Sequence, residues 1–402
     1  MKISTQDPLI VYLKPNLGGH VLGLPGLVDT KPRIEGVLRI QARNSVKPFS
    51  IERVETKFTA FQSALVGADR LLGSKEVTEK QILGSEDVIF DQADSPDSFY
   101  TEIKFTLLLP EKLYPTLHLV KKSKHTTVLK SHSFLEFKVF FHYKGLESLS
   151  VIRRYPIPIT LFDSWLTLHE KEKISVNQDF QDGELALRLD GPYSYVGPGD
   201  SLPLVLSLAP INLTRLETDI HVKTIEAKIV EKVTFPLSGI PPVVTVITEA
   251  VSYPDTVVPV SGRSFELNVA IPSYFDKVSA DPGESLDVKV RVDTILEKHD
   301  SVDLTPRATF SPSLSHTSAS LFGISHSLTL TLQLDKRRRL VVDCGTVTVG
   351  QFSRDELAKS GKRTVEDLRY AKKYLAHLNS CARAEVLLEN SPNPISPTSI
   401  LS

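Results

Sequence analysis

Two clusters of cations are the groups in this 402-residue chain best suited to act on another molecule. Lys121, Lys122, Lys124 and Lys130, with His125 among them, fall between two alternating segments of the first half. Ammonium groups this close together near a loop can pair with phosphate or carboxylate groups of a peptide, or with anionic lipid. The same spacing also makes an ordinary solvated loop. The run Lys336-Arg337-Arg338-Arg339 is denser, and the planar fork of arginine suits bidentate contact with phosphate. It follows an alternating segment directly, which places it at a sheet end, although four consecutive cations also serve solubility or nuclear import. Neither cluster is interleaved with aromatic residues on which bases could stack, so nucleic acid is not an expected partner.

Covalent modification is the second chemistry that the residue types allow. Ser95, Thr305, Ser311, Ser391 and Ser396 each precede proline in loop-like surroundings, and phosphorylation there would add about −2 charge per site. Lys372 and Lys373 are candidate modification targets. Catalytic patterns are missing. The 11 histidines include no HExxH and no paired Cys/His spacing for zinc. Gly323-Ile324-Ser325-His326 lacks the second glycine of a nucleophile elbow and precedes a strand, where that elbow needs a helix. No GxxxxGK cradle and no EF-hand loop occur. The expectation is a protein without catalytic residues, metal or cofactor.

Bulk properties narrow the class. A net charge of −1 gives no global pull toward nucleic acid or membrane, so any basic site is local. Cys344 and Cys381 cannot build a disulfide framework and fit a reducing compartment. Residues 1–30 carry no basic region followed by an apolar run, and no stretch of about 18 apolar residues occurs. The chain reads as cytoplasmic, with Asn212-Leu213-Thr214 a chance sequon.

The elements that must position these groups are strands. A turn cassette occurs twice, as PGDSLPLVLSL (198–208) and PGESLDVKVRV (282–292). Pro fixes φ at the first central turn position and Gly supplies positive φ at the second. Leu202, Leu204, Leu206 and Leu208 then alternate with polar neighbours, as do Leu286, Val288, Val290 and Val292. The same period of two runs through 32–42, 51–61, 98–110 and 134–143 in the first half, and through about 184–190, 220–235, 265–271 and 326–334 in the second. Many short strands with Pro- and Gly-marked turns argue for an all-β chain of two consecutive antiparallel sandwiches. The charged stretch 163–183, with the lone Trp165 as an interdomain anchor, marks the boundary, and 297–325 reads as a long mobile loop. The expected division is 1–165, 183–350 and a C-terminal part, 351–402. In that last part Ser353 and Glu356 have capping-box spacing, and Val365, Leu368, Ala371, Leu375, Leu378 and Ala382 form one apolar stripe of a helix before a disordered tail.

Two such sandwiches in tandem resemble arrestins. The resemblance spans about residues 8–350 and rests on order: an early strand with Gly36 and Leu38, a strand with Ile51 and Val54, a strand closing on Leu109-Pro110, and the long strand 134–143. In the second half it continues through the Pro-Gly turn, the segment 213–235, a strand ending in Ile271-Pro272 and the 285–296 strand. It is closest to fungal α-arrestins, the arrestin-related trafficking adaptors. The resemblance implies the arrestin fold of immunoglobulin-like sandwiches. It also implies an adaptor that binds cytosolic tails of transporters or receptors, recruits a HECT-type ubiquitin ligase and joins the plasma membrane or endosomes peripherally. The chain departs from that family in having no PPxY or LPxY motif. Ile271-Pro272-Ser273-Tyr274 comes nearest, and Ile271 falls at a core-facing position. A structural subunit of a membrane-coat or endosomal sorting complex is the other reading.

Overall fold

In a computed structural model of the chain, the residues described are 8–14, 21–22, 25, 31–43, 47–66, 75–92, 96–122, 126–144, 146–161, 173–180, 185–211, 220–236, 240–273, 310–314, 320–334 and 338–358. The architecture is all-β and built from antiparallel sheets. In the first unit one sheet holds β1 (Leu9–Lys14), β2 (Val21–Leu22), β3 (Arg33–Ala42) and β6 (Tyr100–Leu108), with β3 in the middle. The facing sheet runs β5 (Lys75–Asp91), β4 (Phe49–Val66), β8 (Thr126–Tyr143), with β7 (Leu117–Lys122) and β9 (Leu149–Pro156) both against β8. Alternation explains the packing. Leu9, Val11, Ile34, Leu38 and Ile40 from one sheet meet Val54, Phe58, Leu135, Phe137 and Val139 from the other in a single core.

The second unit repeats the plan. One sheet is β10 (Ile174–Asp179), β11 (Leu185–Gly191), β13 (Ser201–Pro210), β18 (Arg263–Ala270). The other is β16 (Ile240–Ser252), β15 (Thr224–Phe235), β19 (Gly323–Gln333), β20 (Arg339–Thr346). Two short pairs complete it: β12 (Tyr195–Val196) parallel to β21 (Thr348–Val349), and β14 (His221–Val222) antiparallel to β17 (Thr256–Val257). Gly199 has φ +78, and Asp200 N–H donates to the Gly197 carbonyl at 3.1 Å, which closes the turn the cassette requires. Leu202, Leu204, Leu206 and Leu208 then enter the core at no more than 1% exposure, while Ser201, Pro203 and Val205 face solvent. The second cassette lies outside the described residues.

A third core joins the units. β4 and β8 have 18 residues each, about 60 Å of strand, where about six residues is usual. One half of each lies in the first core. From the other half, Ala60, Ala64 and Leu129 pack with Leu117 and Leu119 of β7 against Val233, Phe235, Leu314, Leu321, Phe322 and Ile324 of the second unit.

Three expectations change. β10, inside the stretch taken as the boundary, pairs with β11, so the second unit begins before residue 183. The supposed mobile loop 297–325 is largely buried where it is described: Phe310, Ser311, Leu314, Leu321 and Phe322 are at most 8% exposed, Pro312 and Ser313 are half-buried, and β19 starts at Gly323. In the segment 98–110, whose alternation puts Phe99 in phase with Ile103, Phe105 and Leu107, Phe99 is 47% exposed and lies just before β6.

Candidate interaction site at the seam between the units

The two basic clusters occupy different places. Lys121 and Lys122 end β7, opposite Thr127 and Thr126 of β8, and Lys130 stands opposite His118 in the same pair. These residues are therefore on the arms of a hairpin, where the sequence suggested a connection between strands. Leu119 and Leu129, from the same arms, lie in the seam core, so this cluster sits beside the junction of the units. Lys124 and His125 lie outside the described residues. Lys130 is half-buried and His118 is 5% exposed. In the other cluster Arg338 and Arg339 are exposed at the β19–β20 connection, where the Arg338 carbonyl accepts from Leu334 N–H at 2.9 Å and from Gln333 Nε2 at 3.2 Å. Lys336 and Arg337 lie outside the described residues. β19 runs from Ile324 in the seam to Gln333, a climb of about 30 Å. One phosphate or carboxylate cannot reach both clusters.

The seam also holds polar groups that alternation alone would not place there. The Gln62 side chain, 0% exposed, accepts from Leu321 N–H at 2.9 Å across the units. Glu231 and His326 stand opposite each other on β15 and β19 at inward positions, with both side chains 0% exposed and His326 Nε2 3.4 Å from Glu231 Oε2. The Ser311 amide donates to Glu231 Oε2 at 2.9 Å, and Ser313 Oγ lies 2.9 Å from His326 Nδ1. Ser313, His326 and Glu231 thus stand in the order of a serine hydrolase relay. Chemistry there would need amides to hold an oxyanion. Ser313 N–H instead donates to the Val349 carbonyl at 2.7 Å and Leu314 N–H to the Ile324 carbonyl at 2.8 Å. What the network does in this structure is hold residues 310–314 onto β15, β19 and β21.

Residues 347–357 form a strap over the second unit. Val347 and Val349 enter its core, and Gly350 N–H donates to the Val196 carbonyl at 2.8 Å. The Tyr195 hydroxyl donates to the Phe352 carbonyl at 2.7 Å. Asp200, from the turn cassette, accepts from Gly197 N–H at 2.8 Å and from Arg354 N–H at 3.0 and 3.1 Å. The Arg354 guanidinium lies 3.7 Å from the centre of the Tyr193 ring. Burial pushes the Asp200 carboxyl above the ordinary aspartate range, opposed by its two amide donors and the Arg354 charge and reinforced by Asp355. The expected capping box forms: Ser353 N–H donates to Glu356 Oε2 at 2.8 Å and Glu356 N–H to Ser353 Oγ at 3.2 Å, ahead of a helical turn at 354–358.

The modification candidates fare unequally. Ser311 is 1% exposed with its amide on buried Glu231, so the loop surroundings read from its proline are wrong and a kinase cannot reach the hydroxyl while the segment is in place. Ser95, Thr305, Ser391, Ser396, Lys372, Lys373 and Trp165 lie outside the described residues, as does the apolar stripe 365–382. Ile271 is 4% exposed, which puts the head of its Ile-Pro-Ser-Tyr sequence in the core. Among the described residues no group of three or more His, Cys, Asp or Glu could hold a metal ion, and no helix is long and apolar enough to cross a membrane.

Glu231, Gln62 and Asp200 were not singled out by the sequence reading, and His326 entered it only as the end of the rejected Gly-Ile-Ser-His sequence. A signal existed for three of them: each is a polar residue in the apolar phase of an alternating strand. No family model matches this chain, and a search of curated proteins finds no relative.

Proposed function

We propose that this chain is a non-enzymatic, arrestin-like adaptor that binds cytosolic segments of membrane transporters or receptors and brings ubiquitination and endocytic machinery to them. One observation carries the reading. Two antiparallel sandwiches stand in tandem, and the first sends its two longest strands past its own core into an apolar seam with the second. That arrangement suits a scaffold that presents surfaces at fixed spacing. The hairpin bearing Lys121, Lys122 and Lys130 beside the seam is the surface offered to acidic or phosphorylated cargo, or to anionic lipid. Arg338 and Arg339, exposed at the β19–β20 connection, form a separate basic surface for a second contact. A HECT-type ligase is the expected effector, reached through a sequence other than PPxY.

The test is proximity labelling by the full-length chain in its native cells, against charge reversal of each basic cluster in turn. A truncation belongs after residue 358, because residues 351–357 are bonded into the fold. Labelled transporters together with a ligase, lost on reversal of the seam hairpin, support the adaptor. A fixed stoichiometric set of coat subunits, unmoved by either reversal, refutes it in favour of a structural role in a sorting complex.

A further inference from the structure

We infer that residues 347–357 form a clasp that couples the C-terminal segment to the connection between the two units. The two ends of this strap differ in kind. Its start is fixed, because Val347 and Val349 are at most 1% exposed in the second core and β21 is paired with β12. From Gln351 onward the grip includes polar contacts, the Arg354 guanidinium over the Tyr193 ring and buried Leu357. Gln351 Oε1 accepts from Leu161 N–H at 2.6 Å, Tyr195 holds the Phe352 carbonyl, Asp200 holds the Arg354 amide, and Leu357 is 1% exposed.

Gln351 reaches the first unit. Leu161 belongs to the first core and is the last described residue before the connection to β10. The strap therefore grips the end of one unit and the Pro-Gly turn at 197–200 of the other, and residue 358 is followed by the C-terminal segment. Tight clearances keep the register single. A Cβ on Gly350 would stand 1.8 Å from the Tyr195 hydroxyl, and one on Gly197 1.8 Å from the Phe352 carbonyl. The strap lies fully seated or it peels, since a shifted register would drive a side chain into one of these contacts. A partner that draws on the C-terminal segment peels Leu357, then Arg354, then Gln351, and the Leu161 amide loses its acceptor. By linkage, a partner that displaces Leu161 loosens the C-terminal segment in return.

The chain carries its own reporter. Trp165 is the single tryptophan and lies four residues beyond Leu161. The experiment is acrylamide quenching of Trp165 fluorescence in the full-length protein, with trypsin cleavage at Lys171 and Lys173 as a second readout. The variants are Gln351→Ala, Asp200→Ala and the pair combined. Gln351→Ala is expected to raise quenching and speed cleavage with the unfolding midpoint little changed. Asp200→Ala, whose side chain contacts the strap and not Leu161, is expected to do the same, and the double variant to add little to either single one. If Asp200→Ala leaves Trp165 and the cleavage rate at their wild-type values while Gln351→Ala moves them, the strap carries no coupling. If neither variant moves them, the Gln351 contact holds nothing. Full additivity of the two would likewise overturn the clasp. Gly350→Ala opens the strap sterically, its Cβ driving the Tyr195 hydroxyl off the Phe352 carbonyl, and it must reproduce the Asp200→Ala result.

Discussion

Replacing Phe322 by alanine tests whether the seam is a core shared by both units. Phe322 is 0% exposed and packs among Val233, Phe235 and Ile324 of its own unit and Ala60, Ala64, Leu119 and Leu129 of the other. The neighbours are rigid strand residues on both sides, so the site can close only partly around the missing ring. A buried Phe→Ala change with limited collapse costs about 3–5 kcal/mol, a large share of the roughly 5–15 kcal/mol by which folded domains exceed their unfolded state. The location of that loss matters more than its size. If the seam is one core, the substitution in the second unit must loosen strands of the first. Hydrogen exchange should then speed up in peptides covering 58–66, 117–120 and 126–133 as well as in 224–235 and 320–334. Equilibrium unfolding in urea, followed through exchange at each peptide, gives the measurement. The shared core is refuted if faster exchange stays confined to the second unit, or if the total loss falls below about 1 kcal/mol, the range of a partly exposed site.

Other outcomes follow from single groups. Asp200 has its carboxyl raised by burial, so the folded state holds that proton more tightly than the unfolded chain does. Its contribution to stability is present below the ordinary aspartate range and is lost as pH rises through the raised folded value. The stability difference between wild type and Asp200→Asn, measured from pH 3 to 7, should therefore shift in favour of the wild type on acidification. A flat difference would refute this. Ser311→Glu places a second carboxylate beside buried Glu231 and should cost at least about 3 kcal/mol by chemical unfolding. Charge reversal at exposed Arg339 should stay within about 0.5 kcal/mol. Burial pushes the Cys344 thiol up to about 12, so iodoacetamide at pH 8 should leave it unmodified in the native protein and alkylate it once denaturant is added.

Legibility in the sequence tracked how local each signal was. The strand after the Pro-Gly turn could be read residue by residue, because turn and alternation are decided within about ten positions. β8 was read only over 134–143, since the preceding Thr-Thr-Val-Leu-Lys-Ser-His-Ser places Ser131 and Ser133 in the phase where apolar residues were sought. Both are buried, at 2% and 4% exposure. β16 was not among the strands read: it opens with Pro241 and Pro242 and, as the edge of its sheet, shows no clean inside and outside. The basic clusters were visible as composition, but their separation depends on which end of β19 meets the seam, and no local pattern contains that.

The misses share a physical cause that turns them into a guide. In a chain of alternating strands, the inward phase normally selects apolar side chains because a lone polar group there costs more than it returns. Gln62, Glu231 and His326 break the phase and are tolerated because a partner arrives from elsewhere in the chain: Leu321 for Gln62, Ser311 for Glu231, Ser313 for His326. Each supplier lies in 310–322, the segment that the sequence reading dismissed as a loop. A polar residue in the apolar phase of a strand thus marks the line where a second layer of chain must lie. Here three such residues, from β4, β15 and β19, converge on one segment at the junction of the two units. Pattern alone cannot say which segment supplies the partners. It can say that the strand is covered, and the positions of these three residues locate the cover at the seam.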